Sequence, residues 1–170
     1  MMEQKHCLSL LVENKFGVLA RISGLFARRG YNIDSLTVGI TEDEQLSRIT
    51  MTVTADEQTL EQIKKQLNKL INVIKVIELK EGAAITRELV FIKVKANDQT
   101  RSTIVGISNL FRAQVVDVAK DSLILQIVGV PSKVAAFIGM VEPYGIIEFV
   151  RSGATGLQRG KQVINIKHSK

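Results

Sequence analysis

Tryptophan is missing from this 170-residue chain and aromatic residues make up only 5% of it. Any core must therefore be built from isoleucine, leucine and valine. A single cysteine, Cys7, excludes an internal disulfide and suits a reducing compartment. Set in an apolar run, it reads as a small core residue rather than a reactive thiol. The two histidines, His6 and His168, lie near opposite ends with no partner at metal-ligand spacing, which leaves no metal site and no Ser/His/Asp set to argue. No apolar run approaches the ~18 residues of a membrane span. Met1-Met-Glu-Gln-Lys-His lacks the charged-then-apolar order of a signal peptide, so neither a membrane nor secretion is expected. No catalytic residues can be nominated.

Acidic residues are absent from 151–170, and that absence explains the net charge of +6. Residues 1–150 are nearly balanced, while Arg151, Arg159, Lys161, Lys167 and Lys170 carry the excess. Basicity confined to a tail does not make the organised basic face that nucleic acid needs. The tail, irregular and glycine-rich from about 153, reads as solvated or docked on an acidic partner.

What is present is a globular composition, 45% hydrophobic and 24% charged. Cys7 to Val12 reads as an apolar strand. Val18, Leu19, Ile22, Leu25 and Phe26 mark one face of a helix, and Ile33 to Ile40 a second strand. Ile49, Met51 and Val53 alternate with threonines as a half-buried antiparallel strand. Asp56 is placed to cap a helix with the stripe Leu60, Ile63, Leu67 and Leu70, and Val73 to Leu79 closes the unit. After Glu81-Gly-Ala-Ala the order repeats. Strands Leu89–Val94, Val115–Val118, Leu123–Val128 and Gly145–Val150 alternate with helices marked by Ile104, Ile107 and Phe111 and by Val134, Phe137, Ile138 and Val141. Pro131 suits the first turn of the last helix. The fold class is α+β: two ferredoxin-like βαββαβ domains, residues 1–80 and 81–170, each an antiparallel sheet with helices on one face. Apolar residues on both parities of the first strands suggest a second sheet face available for pairing, most simply in a two-fold dimer.

The loops flanking the first helix hold Asn14, Gly17 and Asn32. A helix N-terminus can bind a carboxylate, and Gly17 lets the backbone approach it. The asparagine oxygens can accept from an ammonium group, while Val18, Leu19 and Ile33 offer an apolar pocket. On this reading two loops at one end of the unit hold a small zwitterion. The same residues also suit plain structural roles: Asn14 as helix cap, Gly17 in a tight turn, Asn32 in a left-handed conformation. Gly24, inside the helix, suits close packing of that helix on a neighbour.

The run Asn14-x-x-Gly17-Val-Leu-Ala-Arg-Ile-x-Gly-Leu-Phe-x-Arg-Arg-Gly-Tyr-Asn-Ile-x-Ser-Leu-Thr-Val38, continued by Leu46-Ser-Arg-Ile-Thr50 and Glu61-Gln-Ile-x-Lys-Gln-Leu, closely resembles the regulatory small subunits of acetohydroxyacid (acetolactate) synthase. Arg87-Glu-Leu and Arg151-Ser-Gly-x-x-Gly-Leu-x-Arg-Gly160 extend the resemblance over nearly the whole chain. It implies an N-terminal ACT domain, which binds amino acids at a dimer interface. It also implies a catalytic large subunit carrying thiamine diphosphate, magnesium and FAD, with no cofactor or catalytic centre in this chain. The small subunit would raise the partner's activity in branched-chain amino acid synthesis and confer feedback inhibition, typically by valine. The family's effector positions fall on Asn14, Gly17, Val18, Leu19, Asn32 and Ile33, with Asn14 and Gly17 of one subunit facing Asn32 and Ile33 of the other. Gln62 matches a position linked to feedback sensitivity. Phe16 stands where many members have proline, so the loop loses a φ constraint and gains a ring. The implied location is cytoplasmic, or the plastid stroma for a plastid-encoded chain. An amino-acid-responsive ACT regulator of another enzyme or of transcription is the alternative.

Overall fold

A computed structural model describes residues 2–164. The chain forms two compact units: Thr86–Ser152, and the residues up to Ile85 together with those from Gly153 onward.

The first unit contains β1 (Gln4–Glu13), α1 (Val18–Arg29), β2 (Ser35–Ile40), β3 (Leu46–Ala55), α2 (Glu57–Asn68) and β4 (Val73–Glu78). Its sheet is antiparallel in the order β2-β3-β1-β4. Period-two alternation directs Leu8, Leu10 and Val12 of β1, and Ile49, Met51 and Val53 of β3, to one face. The register pairs Leu8 with Met51 and Leu10 with Ile49, so their side chains make one apolar layer. Ile22, Leu25 and Phe26 of α1 and Leu60, Ile63 and Leu67 of α2 close over it. Gly30 ends α1 at φ 71°, a left-handed stop that glycine adopts without strain. Asp56 caps α2, accepting from the Thr59 N–H at 2.8 Å.

The second unit repeats the pattern: β5 (Ala84–Lys95), α3 (Arg101–Leu110), β6 (Gln114–Val118), β7 (Ser122–Gly129), α4 (Pro131–Val141) and β8 (Ile146–Arg151). Its order is β6-β7-β5-β8, the same as in the first sheet. Val90, Ile92, Val94, Leu123, Leu125 and Ile127 pack under Ile104, Val134, Phe137 and Val141. Pro131 occupies the first turn of α4. The fold class read from periodicity is the fold observed.

Three local expectations are corrected. β2 starts at Ser35, not Ile33, because Asn32 Nδ2 donates to Asp34 Oδ1 (3.1 Å) and holds a side-chain turn ahead of the strand. The segment from about 153 is not a free tail of the second domain. It forms β9 (Thr155–Gln158), which pairs with β5, and Arg159 N–H donates to the Ala83 carbonyl at 2.9 Å. Ala154 and Ile164 are buried, and Gly153 sits so close to β2 that a Cβ there would stand 2.8 Å from the Leu36 carbonyl carbon. The division between units therefore differs from a cut at residue 80, and the segment from Gly153 belongs with the first unit. Lys167 and Lys170 lie outside the described residues. Finally, Gly24 does not serve close packing within the described residues: a Cβ there would meet open space.

Cys7 lies on the sheet face opposite the helices and is half-buried. Burial pushes its thiol up to about 11, which leaves it protonated and unreactive near neutral pH.

Candidate functional site

The turn from β1 into α1 is built on Gly17. Its φ of 82° is left-handed, and its Cβ direction is open. Gly17 is the N-cap and no side chain caps this helix, so Asn14 is not a cap. Instead Asn14 Nδ2 donates to the Glu44 carbonyl (2.8 Å) and Asn14 N–H to the Gln45 carbonyl (2.7 Å), tying the loop to the β2–β3 turn. Val18 N–H donates to the Lys15 carbonyl at 3.4 Å, and with no side chain capping the first turn this helix N-terminus is a favourable position for a carboxylate. Val18 is buried in the core, whereas Leu19 is 42% exposed and Phe16 is fully exposed. Around this end runs a polar chain: Lys15 on Glu13 (3.2 Å), Asn72 Nδ2 on Glu13 and Arg21 on Asn72 Oδ1. Donation from Asn72 and Lys15 holds the Glu13 carboxyl below its usual range.

Asn32 and Ile33 occupy the other end of α1. Asn32 is exposed and does not take a left-handed backbone; Arg112 alone does so among the described non-glycine residues. Ile33 is half-buried against the core. Gln62 of α2 belongs to this end, since Tyr31 OH donates to its Oε1 at 3.2 Å. Arg29 Nη2 donates to Gln66 Oε1 (2.8 Å) one turn further along α2.

The expectation that both loops lie at one end of the unit is overturned. Twelve residues of α1 separate them, about 18 Å of helix rise. β3 gives the same measure: Asn14 is tied to Gln45 just before that strand, while Asp34 N–H donates to the Thr52 carbonyl near its far end. The chain thus gathers Asn14, Gly17, Val18 and Leu19 at one pole, and Asn32, Ile33 and Gln62 at the other. Sequence reasoning missed Tyr31 and Glu44. Both act through tertiary contacts that no spacing announces.

The exposed side of α1 between the poles carries Ala20, Gly24 and Ala27. Beside it, β2 is an edge strand whose Val38 and Ile40 are 45% and 64% exposed. Small residues on the helix and an unpaired strand edge are what a second copy needs for close approach.

Other candidate chemistry resolves into structure. His6 is buried, with Nδ1 3.0 Å from Glu78 Oε1 and Nε2 3.2 Å from the Ala55 carbonyl, and joins β1 to β4 and β3. Among the described residues no group of three or more His, Cys, Asp or Glu could hold a metal ion, and no helix is long and apolar enough to cross a membrane.

Paired βαββαβ units with a glycine-started helix and an open edge strand define a chain of the ACT-containing class. Residues 8–75 match the family of AHAS small subunit-like ACT domains, and residues 87–160 match the family described as small subunit of acetolactate synthase. The chain belongs to the acetolactate synthase small-subunit family. It is 52% identical over 159 residues to the acetolactate synthase small subunit of Mycolicibacterium smegmatis, covering 94% of each chain. It is 51% identical to a probable acetolactate synthase small subunit of Archaeoglobus fulgidus, covering 93% of this chain and 99% of the relative. The crystal structure of the Thermotoga maritima small subunit superposes with a TM-score of 0.86 at 38% identity, covering 94% of this chain and 99% of that one.

Proposed function

We propose that this chain is the regulatory subunit of an acetolactate synthase, raising the activity of a catalytic large subunit and conferring feedback inhibition by valine. The synthase's thiamine diphosphate, magnesium and FAD would reside in the large subunit. The observation that carries the effector site is the separation of its two halves along α1. A free aliphatic amino acid cannot span it, so both halves contact one ligand only if two protomers contribute. A two-fold axis beside β2 sets the α1 helices antiparallel, and Gly17 of one then approaches Asn32 of the other. Ala20, Gly24 and Ala27 let the helices come close. Two equivalent sites result. Valine's carboxylate meets the N-terminus of α1 at Gly17, its ammonium the Asn14 and Asn32 oxygens, and its side chain Val18, Leu19 and Ile33. Inhibition requires valine to bind the inhibited arrangement of the complex more tightly than the active one.

The test is reconstitution with the large subunit, following acetolactate formation with and without valine. The chain is expected to raise the rate and to make it valine-sensitive. Gly17→Asp places a carboxylate against that of the ligand, so it should keep activation and lose inhibition. A Gly17→Asp complex still fully inhibited by valine would refute the site. No effect of the wild-type chain on the large subunit would refute the regulatory role.

A further inference from the structure

The segment from β9 to Ile164 does more than cover the sheet face opposite the helices. Between it and the sheet lies a cleft of about 450 Å³, within the range of small-molecule sites. Part of its lining is apolar, from Leu11 of β1, Ile77 of β4, and Leu157 and Ile164 of the returning segment, while Thr41, Gln158 and Gln162 add polar groups. Two charges of opposite sign also line it, Arg48 of β3 and Glu42 of the β2–β3 turn. Arg48 stands opposite Leu11 on one side and Gly39 on the other, so its neighbour on β2 has no side chain to cover the guanidinium. Burial draws the Arg48 guanidinium down while Glu42 opposes that shift, so this cation is only partly solvated.

We infer that this cleft is a second small-molecule site in the first unit, shaped for a free aliphatic amino acid. Arg48 would take the carboxylate and Glu42 the ammonium. The Leu11, Ile77, Leu157 and Ile164 walls would enclose the side chain. A guanidinium alone would favour a simple anion; the adjacent carboxylate turns the preference toward a zwitterion. The site needs one protomer only, and shares no residue with the poles of α1. It is not isolated from them, because the β2–β3 turn that contributes Glu42 also carries the Glu44 carbonyl that holds Asn14. Occupancy of the cleft would therefore bear on the effector loop through one short turn.

The experiment is methyl NMR on the full chain carrying Gly17→Asp, titrated with leucine. Resonances of Leu11, Ile77, Leu157 and Ile164 are expected to move together along one binding curve. Arg48→Gln and Glu42→Gln should each weaken that curve at least tenfold. Leu157→Trp should abolish it by filling the cleft, with each variant's melting temperature checked. The oxo acid of leucine, which lacks the ammonium, should bind at least tenfold more weakly. The inference is overturned if those four residues stay unmoved to saturation, or if shifts are confined to Val18, Leu19 and Ile33. It is also overturned if leucine and its oxo acid bind alike, or if Arg48→Gln binds like its parent. Because Gly17→Asp disables the two-protomer site, failure here leaves the regulatory reading standing, and failure of that reading leaves this one testable.

Discussion

Tyr31 donates its hydroxyl to Gln62 Oε1 at 3.2 Å, joining the loop that presents Asn32 to the middle of α2. Gln62 thus reaches the Asn32 loop from a neighbouring helix, and in the proposed reading it would act on the effector site through that loop. Gln62→Ala should raise the valine concentration needed for half-inhibition several-fold and leave activation intact. Tyr31→Phe should do the same in milder form. The bond is at the surface, so unfolding free energy should change by under about 1 kcal/mol in either variant. Dose–response curves on the reconstituted complex, with urea titrations of the free variants, check both halves.

Gly153 has no room for a side chain against β2. Gly153→Val should unseat the returning segment, at a cost of about 1–3 kcal/mol from forced displacement. Trypsin should then cut after Arg159 and Lys161 much faster than in the parent, because those bonds lie in the segment that β2 holds down. Equal digestion rates would mean the segment is anchored elsewhere.

Leu60 and Phe16 are both large and apolar and should respond oppositely. Leu60 is fully buried between α2 and the sheet, and Leu60→Ala should cost about 2–5 kcal/mol. Phe16 projects into solvent, and Phe16→Ala should stay within about 0.5 kcal/mol. Denaturant unfolding monitored by circular dichroism gives both numbers.

Asp56 carries a pH dependence with a definite sign. The Thr59 N–H, with the Thr59 hydroxyl, holds its carboxyl below the usual range. A carboxyl depressed in the folded state binds fewer protons than in the unfolded chain. Its contribution is therefore complete above the unfolded value, about 3.9. It fades as pH falls through the folded value. Wild type should be more stable than Asp56→Ala at pH 7, and the two should converge in acid below the folded value. A gap that persists unchanged in strong acid would assign the effect to something other than the cap.

Much of this was written in local sequence. Leu8, Leu10 and Val12 against Ile49, Met51 and Val53 announce period-two strands. The Val18–Phe26 and Leu60–Leu67 stripes announce helices, and Asp56 and Pro131 mark their starts. These signals are short-range because strand pleat and helix pitch repeat within a few residues. The two loops flanking α1 were legible for the same reason: Gly17 and Gly30, one at each end of α1, are local backbone requirements. That those loops stand apart was implicit in the same helical stripe, although the loops taken alone point to one end. Their distance depends on the direction of α1 between β1 and β2, and a helix of twelve residues carries its ends apart whatever residues flank it. The fate of residues 153–164 was hidden, since glycine-rich sequence with scattered apolar residues has no period of its own. Only the sheet face presented by Leu11, Arg48 and Ile77, assembled from three strands distant in sequence, gives Ile164 somewhere to be buried. Sequence alone determined the repeated unit, its core and its chemistry at each pole of α1. Tertiary structure decided what each pole is tied to, Asn14 to the β2–β3 turn and Tyr31 to Gln62, and that the last segment closes over the first sheet, because those contacts join residues distant in sequence.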